Sequence, residues 1–250
     1  MRVILIVSFL FACAGSGVAR ENSALNLNVP SHLDAKSLAI EIRHRFYGVL
    51  TEDPFENFFG LNLGANAHLG MRYALIPRLE INVSYTTYER EYRAGASYAT
   101  QLPAIPVQGQ LDFQYFDFSR AQERFRDFYA AIALQSEPIA RAFIPTVNVG
   151  YDGYSEKVGF GFCLEAGFEW EFGPIERISL AGEYYPVLGR DETINGPNNY
   201  YAAGLRIDTY GHQFMLQISN GWEIGPRRLM LGAITNDVYL GLSIHRYIRF

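Results

Sequence analysis

Apolar and polar residues alternate with a period of two through almost the whole chain after residue 36. Leu61, Leu63, Ala65, Ala67, Leu69, Met71, Tyr73 and Leu75 form one face of a run, and Asn62, Gly64, Asn66, His68, Gly70 and Arg72 the other. Val158, Phe160, Phe162, Leu164, Ala166, Phe168, Trp170 and Phe172 repeat this against Gly159, Gly161, Cys163, Glu165, Gly167, Glu169 and Glu171. Period two is the signature of a strand with one apolar face. The same rule predicts twelve strands near 37–47, 61–75, 79–90, 91–101, 109–118, 127–137, 142–154, 157–172, 176–188, 199–211, 212–220 and 238–250, with 10–14 compatible with the pattern. Phe116 and Phe118 break the phase of the fifth. Short links such as 76–78, 173–175 and 210–212 alternate with long ones at 48–60, 189–198 and 221–237, which predicts an antiparallel up-and-down barrel.

Alternation does not say whether the apolar face meets a core or lipid. Strands of this length exceed the usual five or six residues and suit a tilted membrane crossing of about 9–11. The polar face mixes Gly with Glu, Arg, Asn, Gln and His, as a wet lumen would. Phe168, Trp170 and Phe172, Tyr85 and Tyr88, and Tyr200 and Tyr201 stand where interfacial aromatic girdles are expected. The last strand ends on Phe250, in phase with Leu240, Leu242, Ile244 and Ile248, the ending typical of bacterial outer-membrane barrels. Arg246 shares that phase and is expected to snorkel to the headgroups. The fold class read from this pattern is therefore an all-β, transmembrane β-barrel. A lipocalin-like soluble barrel, with apolar residues inward, is the weaker reading.

The N-terminus changes the picture by adding export. One Arg, a short apolar run and small residues through Ala19 describe a signal peptide over 1–19. The alternative is lipidation at Cys13, preceded by Leu10-Phe11-Ala12. Residues 20–36 read as a loose N-terminal tail and 37–250 as one barrel domain, placed in the outer membrane of a Gram-negative bacterium. Loss of Arg2 with the leader takes the net charge from −5 to −6, against nucleic acid as a partner. The expected partners are outer-membrane lipid and the barrel-insertion machinery, which would read the C-terminal strand ending at Phe250.

Among chemical constellations, His32, His44, His68, His212 and His245 form no close pair, so no metal or other cofactor is expected. Cys163 reads as a small buried or lumen-facing residue. Ser243 and His245 share the lumenal phase two apart, but a nucleophile needs a third, orienting group, and none is marked. The charged face carries the lumen-lining candidates Arg43, Arg45, His68, Arg72, Arg93, Glu165, Glu169, Glu171, Glu183 and Arg206. Arg43, Arg45, Arg72, Arg93 and Arg206 are expected on one side of the circle, facing Glu165, Glu169, Glu171 and Glu183. Such walls would field a narrow passage for polar solutes, a small porin-like passive channel. The alternatives are a barrel closed by an Arg–Glu network, using outer loops 48–60 (Phe55, Phe58, Phe59) and 221–237 (Trp222) to bind a partner, and an outer-membrane enzyme.

Several segments resemble a family of bacterial outer-membrane β-barrel proteins known only as a domain of unknown function. They are His44-Arg45-Phe46, Phe58-Phe59-Gly60-Leu61, Tyr73 through Glu80, Gly182 through Pro186, Gly211 through Phe214, Leu216 through Asn220, and Leu242 through Arg246. The likeness covers both ends and little of 91–126. It departs at Ser243 and His245, where the family carries Asn or Ser near a closing Ile-Ser-Arg. The resemblance implies fold and location, and brings no activity or catalytic residue.

Overall fold

A computed structural model describes residues 24–30, 33–102, 105–139, 142–169, 173–188 and 196–250. The signal peptide, Cys13 and Glu171 lie outside them. Among the described residues twelve strands form: β1 Ser37–Val49, β2 Ala65–Ile76, β3 Leu79–Thr86, β4 Glu91–Gln101, β5 Val107–Arg120, β6 Glu123–Ser136, β7 Phe143–Asp152, β8 Lys157–Glu169, β9 Ile175–Tyr185, β10 Tyr200–Thr209, β11 His212–Ser219 and β12 Tyr239–Arg249. Each pairs antiparallel with its sequence neighbours, and β1 pairs with β12 from Ser37↔Arg249 to Arg45↔Gly241, closing the barrel. Closure satisfies every strand edge, which hydrocarbon demands because no water is there to do so. The end where Ser37 meets Arg249 is called the base, and the opposite end the top.

The faces fall as the alternation dictates. Leu69, Met71, Val83, Leu111, Phe113, Phe162, Leu164, Leu180, Leu216, Leu242 and Ile244 point out and are exposed, while Glu41, Glu165, Arg45 and Arg206 point in and are buried. An exposed apolar belt around a charged interior inverts a soluble barrel, and only an apolar solvent around the molecule stabilises it.

Local departures have physical causes. The second strand begins at Ala65, not 61, because Phe58–Leu63 form a 3-10 turn with Phe59 and Gly60 left-handed. Gly60 lies so close to β1 that a Cβ on Gly48 would stand 2.4 Å from its Cα. The third strand stops at Thr86, and Tyr88–Arg90 form another short turn. Loop length is not uniformly asymmetric, since β5 and β6 are joined at the top by Ala121 and Gln122 alone. Phe116 and Phe118 are fully buried in the lumen and belong to the inward phase of β5. Tyr200 also departs from expectation: it is buried inside, whereas Tyr201 keeps the outward, girdle-like position. Arg246 does not snorkel free; it is 5% exposed, with Nη1 at 3.0 and 3.1 Å from the two ring nitrogens of His212 across the β11–β12 pair.

Candidate functional site

Two pieces of the chain enter the lumen from opposite ends. The first is the segment Ala24–Pro30, expected to be a loose tail. Leu25, Leu27 and Val29 are fully buried there and pack with Tyr185, Tyr200, Ala202 and Met215. The segment curls, with Ala24 N–H donating to the Leu27 carbonyl at 3.2 Å. This aims successive N–H groups at one point: Leu25, Asn26 and Leu27 donate to Glu183 Oε1 at 2.8, 2.7 and 3.0 Å. Consecutive N–H groups around one oxygen form an anion nest. Asn26 Nδ2 donates to Glu183 Oε2 at 3.0 Å, and its Oδ1 accepts from Arg45 Nη2 at 2.8 Å. Arg45 Nη2 also donates to Gln217 Oε1 at 3.0 Å, and Nη1 to Ser243 Oγ at 3.2 Å. Lower down, Asn28 Nδ2 donates to Asp112 Oδ2 at 3.0 Å.

Burying each of the three apolar side chains stabilises by about 1.5–3 kcal/mol, and each bond to the carboxylate by about 1.5–3 kcal/mol. Ordering the backbone costs about 1–2 kcal/mol per residue. Over so short a segment the apolar burial alone falls short of that ordering cost, so the bonds to Glu183 decide whether the segment stays.

The second piece is the top loop between β11 and β12, which turns inward instead of standing as an outer surface. Its helical turn Pro226–Leu229 is buried throughout. Arg227 reaches Glu91 Oε2 at 2.5 Å and Asp152 Oδ1 at 3.0 Å. Arg228 reaches Glu89 at 2.5 Å and also pairs with Glu91. Arg93 pairs with Glu91 and donates to the Ile224 carbonyl at 2.8 Å. Burial works against the charge on Arg228, but Glu91 and Glu89 beside it hold the guanidinium protonated. Glu223, buried on the same loop, has its carboxyl pushed above the ordinary value by desolvation.

Glycines make the room. A Cβ on Gly159 would lie 2.4 Å from Met230 Cβ, one on Gly161 would crowd Tyr185 and Leu27, and one on Gly204 would stand 2.9 Å from Leu25. Cys163 sits buried in the same apolar cluster.

Of the lumen candidates, Arg43, Arg45, His68, Arg72, Arg93, Glu165, Glu183 and Arg206 are all buried inside. Glu169 is not a lining residue; β8 ends there, and the side chain is exposed at the base. The two opposed charged walls do not form. Arg206 lies on the Glu side, with Nη1 and Nη2 on the Glu165 carboxylate at 2.6 and 2.8 Å. Arg177 joins Glu165 at 3.0 Å. On the Arg side, Arg72 bridges Glu41 and Glu80 at 2.8 and 2.7 Å, and Arg43 pairs with Glu41 at 2.8 Å. Opposite charges meet locally because a buried charge facing only its own sign carries the full cost of desolvation. His68 Nδ1 lies 3.0 Å from Thr86 Oγ1. Beside these groups a cavity of about 60 Å³ remains, room for a few waters.

Sequence reasoning missed Glu41, Glu80, Glu91, Asp152, Arg227 and Arg228. The alternating Leu25-Asn26-Leu27-Asn28-Val29 and the paired Arg227-Arg228 were the available signals.

Residues 21–102 match the model of a family described as Membrane bound beta barrel domain (DUF5777). The protein is a membrane-bound β-barrel. Its even number of antiparallel strands, closed around a polar interior with an apolar belt outside, places it in the outer membrane of a Gram-negative bacterium. No curated protein matches the barrel's sequence. Among solved structures it is similar to LpxR from Salmonella typhimurium (11% identity, 86% of this chain and 100% of that one, TM-score 0.48). It is also similar to outer membrane phospholipase A from Escherichia coli (12% identity, 86% and 90%, TM-score 0.41). A third is an outer membrane channel from Pseudomonas putida F1 (9% identity, 91% and 99%, TM-score 0.44).

Proposed function

We propose that the intact barrel is a closed outer-membrane protein, filled by its own chain, whose working surface is its outer face. One observation carries this reading: Glu183 and Glu91 anchor two chain segments inside the lumen, where a passive pore needs water. The 48–60 loop supports an outward role, since Phe55 is 86% and Phe58 65% exposed at the top, and Phe55 meets Phe59 edge-on at 5.7 Å. Such aromatics favour contact with an apolar partner or the lipid interface. Planar-bilayer recordings of the full chain test the reading. Silence is the expected result; unitary steps in the unmodified protein would restore the porin-like channel, the second reading, which the charged lumen wall favours.

On this reading the barrel is not an enzyme. Ser243 Oγ accepts from Arg45 rather than presenting itself to His245, whose ring nitrogens are buried without a hydrogen bond. Loss of a lipase-type activity in Ser243→Ala would overturn this. Recognition by the insertion machinery rests on Phe250, which is 76% exposed at the end of β12. Deleting Phe250 is expected to reduce insertion in cells while leaving refolding in detergent intact.

A further inference from the structure

We infer that the lumenal wall around Glu183 is a peptide-binding site, occupied here by residues 24–30 of the chain itself. Its ligand class is a short curled peptide with two apolar side chains flanking an asparagine. Three features define it as a built site rather than an accident of packing. Glu183 offers one oxygen to three consecutive backbone N–H groups and the other to the Asn26 amide. Backbone donors exist in any peptide, so this part reads shape and not sequence. Asn26 is read from both ends, because its carbonyl oxygen accepts from Arg45 while its amide reaches Tyr200 Oη at 3.3 Å. An Asp there would set a carboxylate against Glu183, and an Ala would remove the Asn26 carbonyl that Arg45 Nη2 shares with Gln217. The flanking Leu25 and Leu27 enter gaps kept open by Gly204 and Gly161, which reject larger walls as they accept branched aliphatic side chains.

The site's residues come from β1 and from β8 through β12, all held by the closed barrel, so the wall stands whether or not the segment is seated. The inserted top loop is anchored separately, on Glu91 and Asp152. Segment 24–30 is thus a ligand in cis, and a peptide of the same chemistry from another molecule can take its place when it leaves.

The test displaces the segment within the full chain. L25D/L27D puts two carboxylates beside Glu183 and removes both apolar anchors. In detergent, a fluorescent peptide of sequence Ala-Leu-Asn-Leu-Asn-Val-Pro is titrated against the refolded unmodified and variant proteins, and polarisation is read. The expected result is saturable binding to L25D/L27D, at least tenfold weaker or absent binding to the unmodified protein, and a tenfold loss for a peptide with Asn26→Ala. Adding Glu183→Gln to the variant should weaken binding tenfold again. No binding by the refolded variant, or equal affinity with Glu183→Gln, overturns the inference. If L25D/L27D fails to refold, Asn26→Ala in the full chain replaces it. That chain should then take up labelled peptide faster than the unmodified one, and equal rates overturn the inference. Polarisation is read without reference to conductance, so this inference and the closed-barrel reading fail separately.

Discussion

The guanidinium of Arg227 lies 3.8 Å from the ring centroid of Phe116, joining the inserted loop to an aromatic wall on β5. Arg228 lies 4.8 Å from the next inward ring, Phe118. These contacts explain why β5 carries Phe on its polar phase. The rings cover two desolvated cations that are also paired with carboxylates, Arg227 with Glu91 and Asp152, and Arg228 with Glu89 and Glu91. A cation over a ring face is worth up to about 2 kcal/mol when desolvated.

Replacing Arg227 by Met keeps most of the volume and strips Asp152 of this buried ion pair. Breaking a buried pair on one side costs about 3–5 kcal/mol. Arg227→Met should therefore lower the denaturant midpoint in detergent, and trypsin should begin to cut after Arg228. Phe116→Leu should cost less, about 1–2 kcal/mol, because apolar cover remains and only the ring contact goes. Equal midpoints for Arg227→Met and the unmodified protein would show that the loop is not held by this contact.

Space on β8 gives a second prediction. Gly159→Val would drive side-chain atoms into Met230, whose Cβ lies 2.4 Å from where a Cβ on residue 159 would stand. The inserted loop must shift, and overpacking of this kind costs about 1–3 kcal/mol. Gly182 on the outward face of β9 is the matched control, since a Cβ there meets nothing within 4 Å. Gly159→Val should expose the loop to protease, and Gly182→Ala should leave it protected. If both variants resist equally, the glycine at 159 is not making room for the loop.

The strands were legible because hydrocarbon punishes any error of phase, leaving a period-two record at Leu69, Met71, Phe162 and Leu164. The lumen was not, because a filled interior accepts aromatic, charged and small residues alike. Tyr200 and Phe116 look like girdle or core residues until their partners are known. Eight of the ten lining candidates lie inside, yet their pairing depends on side chains from distant strands, such as Arg206 on β10 with Glu165 on β8. The insertion of residues 24–30 left a readable trace, apolar residues alternating with asparagine, but a segment that short gives no hint that its partner is Glu183.

Glu223 makes the inserted loop sensitive to pH. Burial raises its folded pKa above the ordinary 4.5, so the folded loop holds a proton that the released loop gives up. Loop stability is then full below about pH 4.5 and falls as pH rises through the raised folded value. Trp222 beside it reports the change, because its ring meets Tyr47 and Tyr239 edge-on at 5.9 and 5.1 Å. Trypsin release of the loop and the Trp222 emission shift should both grow with pH, and Glu223→Gln should flatten them. A pH response that survives this substitution belongs to another group.

The outward face supplies the last prediction, and the membrane assignment stands on it. Phe162 is 43% exposed near the middle of β8, paired across the sheet with Val147 and Tyr184. An Arg at mid-membrane on a lipid-facing position costs about 2–4 kcal/mol, a large share of the roughly 5–15 kcal/mol that holds a typical domain. Phe162→Arg should cut the folded fraction recovered in lipid vesicles, read as the gel-mobility shift between heated and unheated samples, while Phe162→Leu should not. The penalty comes from hydrocarbon and not from the barrel, so it should shrink when folding is tried in short-chain detergent, where water reaches the belt. A barrel that lived in water would show the reverse pattern: Phe162→Arg would be harmless or would improve solubility, and Phe162→Leu and Phe162→Arg would fold alike in vesicles.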